Sequence, residues 1–120
     1  PSGNSVMLHA LSGLHALTGD GRYAAELEAI LPAYADYAGK VAASVAHGLE
    51  AAATYQSGVA VIKVGVDVDM NALRKTLAAK AWRRTFVQQS MDLSSNQIQV
   101  CLGTQCLAPD DDLATAMLPM

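Results

Sequence analysis

Cys101 and Cys106 are the residues best suited by type to chemistry, since two thiols can exchange a pair of electrons through a disulfide or bind a soft metal. Their C-x4-C spacing is neither the C-x-x-C of dithiol redox sites nor half of a zinc knuckle. No second pair completes a zinc site, so no metal is assigned. A disulfide needs Cα atoms within roughly 7 Å, which a four-residue loop permits without enforcing. The preferred reading is a pair of free structural thiols. Cys101 is expected at the end of a strand by the core edge, and Gly103 turns the chain so that Cys106 comes back toward the sheet. No Lys, Arg or His stands near them in sequence to lower a thiol pKa, so slow alkylation in the folded state is expected.

Other residues with chemical capacity have plainer readings. His9 and His15 are six apart on one helix, roughly 120° around its axis, and cannot share a metal from that helix alone. His47 belongs to a different helix. Arg74, Lys75, Lys80, Arg83 and Arg84 are five of the 8 basic residues; they are better explained as a solvated helix face than as an anion site. Gly65 follows a strand, but no G-x-G-x-x-G or G-K-[ST] accompanies it, and Asp67 and Asp69 would repel a phosphate. Tyr23, Tyr34, Tyr37 and Tyr55 could stack on a sugar, yet at helical spacing they read as core. Asp110, Asp111 and Asp112 at a helix start suit the helix dipole without a ligand.

The elements that must position these residues follow from composition and periodicity. The 120 residues are 52% hydrophobic and 16% charged, with a net charge of -3. That is about one domain with a buried core and no basic field for nucleic acid. No run approaches the roughly 18 apolar residues of a membrane span. The opening PSGNSVML has neither an initiator Met nor a basic segment before an apolar core. A signal peptide is therefore not expected, the chain reads as a portion of something longer, and the expected location is cytoplasmic.

Asn4 or Ser2 can cap a first helix, and Met7, Ala10, Leu11, Leu14 and Leu17 recur as its expected buried stripe. Thr18-Gly19-Asp20-Gly21 supplies a left-handed C-cap and an N-cap, folding the chain into a helical hairpin. The second helix begins near Arg22, with Tyr23, Leu27, Ile30, Leu31, Tyr34 and Ala38 facing inward. It is expected to kink at Pro32 and to break near Gly39. An Ala-rich third helix spans Val41 to about Tyr55. Val59 to Val66 is apolar and β-branched, as in a strand buried on both faces. Met70, Leu73, Leu77 and Ala81 mark a helix after it, and Thr85-Phe86-Val87 a second strand parallel to the first. Met91 to Asn96 reads as a polar loop, Ile98 to Leu102 as a third strand, and a last helix runs through Met117. The expected class is α+β or α/β. About three N-terminal helices in 1-57 precede a small three-stranded sheet with one crossover helix and a C-terminal helix in 58-120.

The PSGNS opening, the helix end LTGDGRY, the strand AVIKVG and the closing V-C-x4-C-x-x-P resemble the C-terminal end of the family that contains spermatogenesis-associated protein 20 and its bacterial relatives. Pro1, Ser2, Gly3, Asn4 and Ser5 match the family's first motif, Gly65 its post-strand glycine, and Cys101, Cys106 and Pro109 its closing motif. Asp110-Asp111-Asp112 stands where the family usually has a Thr-Asp element. The resemblance spans essentially the whole chain. It implies a thioredoxin-domain-containing protein with an (α/α) toroid like that of N-acylglucosamine 2-epimerases and six-hairpin sugar enzymes. The first three helices would be the end of that toroid, with the thioredoxin-like cysteines upstream. On this reading the segment is mainly structural, and Asn4 and Ser5 are its candidates to face a carbohydrate-type cavity. No catalytic residue and no cofactor is assigned, and the segment alone is expected to be inert. Its partners would be upstream domains of the same polypeptide and, when isolated, further copies through the helical face. The alternative is a thiol-based redox or interaction module built on Cys101 and Cys106.

Overall fold

A computed structural model describes residues 2–80 and 85–116. The architecture is mixed α+β, with helices first and a small mixed sheet after them. It divides into two compact units, Pro1–Val59 and Ala60–Met120.

The helical unit holds α1 (Gly3–Thr18) and α2 (Gly21–Ser57). Ser2 is the N-cap of α1, its hydroxyl accepting from the Ser5 amide. Gly19 closes α1 in the left-handed conformation at φ 68°, its amide donating to the His15 carbonyl. Asp20 then caps α2 by accepting from the Arg22 amide at 2.9 Å, and its carboxylate also pairs with the Arg22 guanidinium at 2.6 Å. The hairpin turn is therefore the one its residue types dictate.

Within α2 the backbone leaves helical geometry at Val41, with φ −143° and ψ 51°, so the element is two arms, 21–40 and 42–57. In a straight helix Tyr34 and Gly48 would lie about 21 Å apart. Instead a Cβ placed on Gly48 would fall on the Tyr34 ring, so the second arm folds back along the first. The break thus lies near Gly39, as expected, and the helix runs on past Pro32, which sits within the first arm. The carbonyl that Pro32 leaves without an amide belongs to exposed Glu28, where water can satisfy it.

Leu8, Leu27, Tyr34, Ala38 and Ala51 form the core of this unit, with Leu11, Ile30, Leu31 and Tyr55 against it. The face of α1 turned inward is not the expected one. Ser5, Leu8 and Ser12 are buried, whereas Met7 and Leu14 are 40% and 41% exposed and Ala10 is exposed too. Two serines can face a core because both hydroxyls are satisfied. Ser12 donates to the Leu8 carbonyl at 2.7 Å, and Ser5 Oγ lies 3.0 Å from the Tyr34 hydroxyl and 2.9 Å from Ser2 Oγ.

The second unit holds β1 (Ala60–Val64), α3 (Met70–Ala79), β2 (Thr85–Gln89), β3 (Ile98–Leu102), β4 (Gln105–Cys106) and α4 (Leu113–Ala116). The strand order is β2-β1-β3-β4, with β2 parallel to β1 and the other pairs antiparallel. The apolar run is thus an interior strand, with Val61, Ile62 and Val64 buried. On one face Ile62 pairs with Val100 and Val64 with Ile98, and Leu73 of α3 and Ala116 of α4 complete that cluster. The expected Ala81 and Met117 lie outside the described residues.

Gly65 ends β1 because nothing larger fits. A Cβ there would collide with the backbone carbonyls of Ser94 and Ser95. The same loop accepts the Gly65 amide at Gln97 O and the Asp67 amide at Ser95 O, each at 2.8 Å. Asp69 caps α3 through the Asn71 and Ala72 amides. Among the described residues no helix is long and apolar enough to cross a membrane.

Candidate functional site

The cysteines occupy a hairpin at one edge of the sheet. Leu102 pairs with Gln105, so Gly103 and Thr104 form a two-residue turn, with Gly103 at φ 58° where a glycine is favoured. Cys101 and Cys106 are then directly opposite each other, with Cα atoms 3.9 Å apart, and they are joined by a disulfide. This corrects the reading of free thiols. A two-residue turn places residues i and i+5 in register, and the C-x4-C spacing centred on Gly103-Thr104 carried that signal. Matching the spacing against redox and zinc motifs alone passed it over.

Cys101 is 3% exposed while Cys106 is exposed. The chain beyond Cys106 stays along β3. Leu107 donates its amide to Val100 O at 2.9 Å, the Gln99 side-chain amide donates to Leu107 O at 2.9 Å, and Ile98 and Asp110 exchange both backbone bonds. The disulfide closes a six-residue loop, and the chain-entropy relation gives such a loop only roughly 2 kcal/mol. The strand pairing does not depend on it alone. Cys101 shares a sheet face with Val61, and Lys63 stands one pair along that face, opposite Gln99. Such diagonal neighbours are about 7–8 Å apart, within reach of a long side chain.

The two candidates of the first helical turn part company. Asn4 is exposed, whereas Ser5 is buried and its hydroxyl is engaged by Tyr34 and Ser2. The tyrosines do not make a stacking platform either: Tyr34 is core, Tyr37 is exposed and Tyr55 is half-buried. Burial, with Glu28 nearby, pushes the Tyr55 hydroxyl pKa up. His9 and His47, on different elements, come together with ring centroids 4.3 Å apart, and His9 Nε2 lies 3.0 Å from the His47 carbonyl oxygen. Among the described residues no group of three His, Cys, Asp or Glu side chains could hold a metal.

Two shallow clefts accompany these groups. One, of about 420 Å³, runs between the arms of α2 and is lined by Leu31, Pro32, Ala35, Leu49 and Ala52 among others. The other, of about 430 Å³, is bordered by Asp67, Asp69, Asn96, Asp111 and Asp112. Two of its carboxylates are occupied: Asp69 caps α3, and Asp112 accepts from the Ala114 amide and the Thr115 hydroxyl, which holds its pKa below the usual carboxylate value. Arg83 and Arg84 of the basic cluster lie outside the described residues.

The stripe that periodicity marked at Met7, Ala10, Leu11, Leu14 and Leu17, but could not orient, lies mostly on the outer face of α1, while Leu11 packs on the core. At about 100° per residue, Val6, Met7, Ala10, Leu14 and Leu17 fall within one stripe about 100° wide, roughly opposite Leu8. Val6 is 51% exposed, and only Leu17 is partly covered. The helix is thus apolar on both sides, with its most exposed apolar side chains turned away from its own core. Comparison of the chain with protein-family models, with curated proteins and with solved structures finds no match in any of the three.

Proposed function

We propose that this chain is a mainly structural portion of a larger cytoplasmic protein, in which α1 is an inner helix packed on one side by α2 and on the other by further helices of the same polypeptide. The observation that carries the reading is the exposed stripe of Val6, Met7, Ala10 and Leu14 opposite the buried Leu8 side. An amphipathic surface helix places its polar residues outward. This one buries serines and exposes aliphatic side chains, which suits a helix meant for two neighbours. The sequence resemblance to the thioredoxin-domain-containing family with an epimerase-like (α/α) toroid agrees, because helices in such a ring are flanked on both sides. In that setting Asn4, exposed in the first turn, is the residue free to reach a carbohydrate-type site, and Ser5 is a packing residue.

The test is the association state of the isolated chain. Light scattering should find self-association through the stripe, and Val6→Asp with Leu14→Asp should return a monomer with unchanged helicity. A monomeric parent chain at high concentration would contradict the reading, as would association indifferent to the two charges.

A further inference from the structure

We propose that Cys101 and Cys106 form a reversible two-electron redox site, reduced by a dithiol that enters at Cys106 and re-formed by a disulfide oxidant, with the sheet intact in both states. The inference concerns the α/β unit and stands apart from the α1 stripe.

Accessibility assigns the point of entry. Cys106 is exposed at the sheet edge and Cys101 is 3% exposed, so an incoming thiolate meets the Cys106 sulfur. Attack there forms a mixed disulfide between the reductant and Cys106. The Cys101–Cys106 bond breaks, and Cys101 departs as a thiolate that takes a proton from water. The reductant's second thiolate then attacks its own sulfur in the mixed disulfide, and Cys106 leaves as a thiolate. One dithiol has become a disulfide, and the protein disulfide has become two thiols. A small disulfide runs the same steps in reverse, capturing Cys106 first and being displaced by Cys101.

Reversibility follows from what holds the hairpin. The two-residue turn at Gly103-Thr104, the Leu107 amide on Val100 O, the Gln99 amide on Leu107 O and the reciprocal Ile98–Asp110 bonds all persist when the sulfurs part. Strand register, without the covalent link, keeps Cys101 and Cys106 directly opposite each other. The reduced thiols therefore stay opposed and remain poised to pair again. A disulfide that closes only a six-residue loop contributes less to stability than one over a long loop. In a reducing cytoplasm, where persistent disulfides are rare, such a pair is suited to cycling.

The experiment counts thiols on the folded chain with a chromogenic aromatic disulfide, before and after dithiothreitol, and again after glutathione disulfide. The expected counts are none, two and none, with unchanged far-UV circular dichroism and unchanged amide-exchange protection in β1. Cys101→Ser should leave a Cys106 that forms a mixed disulfide with glutathione in the native state. Cys106→Ser should leave a Cys101 that reacts only on denaturation. The proposal is overturned by two thiols that stay unpaired under oxidant, by loss of β1 protection on reduction, or by native labelling of Cys101 ahead of Cys106. The wild-type counts decide the matter even if a variant fails to fold.

Discussion

Substituting alanine for Gly65 tests how the loop after β2 is fixed to the interior strand. The added Cβ would meet the carbonyls of Ser94 and Ser95, which are backbone and cannot rotate aside. Relief requires the loop to lift, which threatens the Gly65 amide bond to Gln97 O and the Asp67 amide bond to Ser95 O. Overpacking of this kind costs about 1–3 kcal/mol, and each backbone bond lost contributes about 1 kcal/mol. Together these give a destabilisation of about 3 kcal/mol, a large share of the roughly 5–15 kcal/mol that holds a domain together. For a unit of this size that corresponds to a fall in melting temperature of more than roughly 10 °C. Thermal denaturation followed by circular dichroism measures it, and amide exchange at Gly65 and Asp67 locates it. Gly39→Ala is the control: nothing lies within 4 Å of its Cβ position, and alanine in a helix gains about 0.5–1 kcal/mol over glycine. A Gly65→Ala protein as stable as the parent, with both amides still protected, would refute the close approach.

In the helical unit, Gly48→Ala should push the Tyr34 ring off its site and destabilise the folded-back arms by about 2 kcal/mol. Tyr34→Phe, which keeps the ring and loses the hydroxyl's bond to Ser5, should cost about 1 kcal/mol; equal losses for the two variants in urea denaturation would contradict this packing. The carboxylates of Asp20 and Asp112 have pKa values lowered, Asp20 by its bonds to Arg22 and Asp112 by the Ala114 amide. Their stabilisation is therefore complete above the ordinary carboxylate value of 3.8 and is lost as pH falls through the folded value. The gap in melting temperature between the parent and Asp20→Asn should narrow below about pH 4, and a constant gap would remove the charge from the cap. Lys63→Met should slow dithiol reduction of the cystine several-fold at neutral pH by removing a cation within reach of the departing Cys101 thiolate. Stopped-flow thiol release measures it, and an unchanged rate would take Lys63 out of the exchange.

What could be read in advance was what short-range chemistry decides. Thr18-Gly19-Asp20-Gly21 carries its own caps, and the β-branched run around Ile62 has no better use than an interior strand. The parallel pairing of β2 followed from the helix between it and β1. The orientation of α1 was not legible, because periodicity marks a stripe but not which side of the helix is covered. Ser5 and Ser12 gave no apolar signal although they pack against the core, the Ser12 hydroxyl satisfied within α1 and the Ser5 hydroxyl by Ser2 and Tyr34. The break in α2 falls at Val41, close to the Gly39 named in advance, and the helix runs through Pro32, since one proline's missing amide is tolerated beside solvent. The cystine was missed because its signal lay in hairpin register, with β4 only two residues long.

Methionine oxidation at Met7 tests the central claim about α1 most directly. Met7 sits in the exposed stripe, and conversion to the sulfoxide follows access of peroxide to its sulfur. In the dilute isolated chain Met7, 40% exposed, should oxidise readily though more slowly than Met91, which is 94% exposed. In the self-associated chain at high concentration Met7 should be protected at least tenfold while Met91 is unchanged. Equal oxidation of Met7 in the isolated and assembled forms would mean that nothing packs on the outer face of α1.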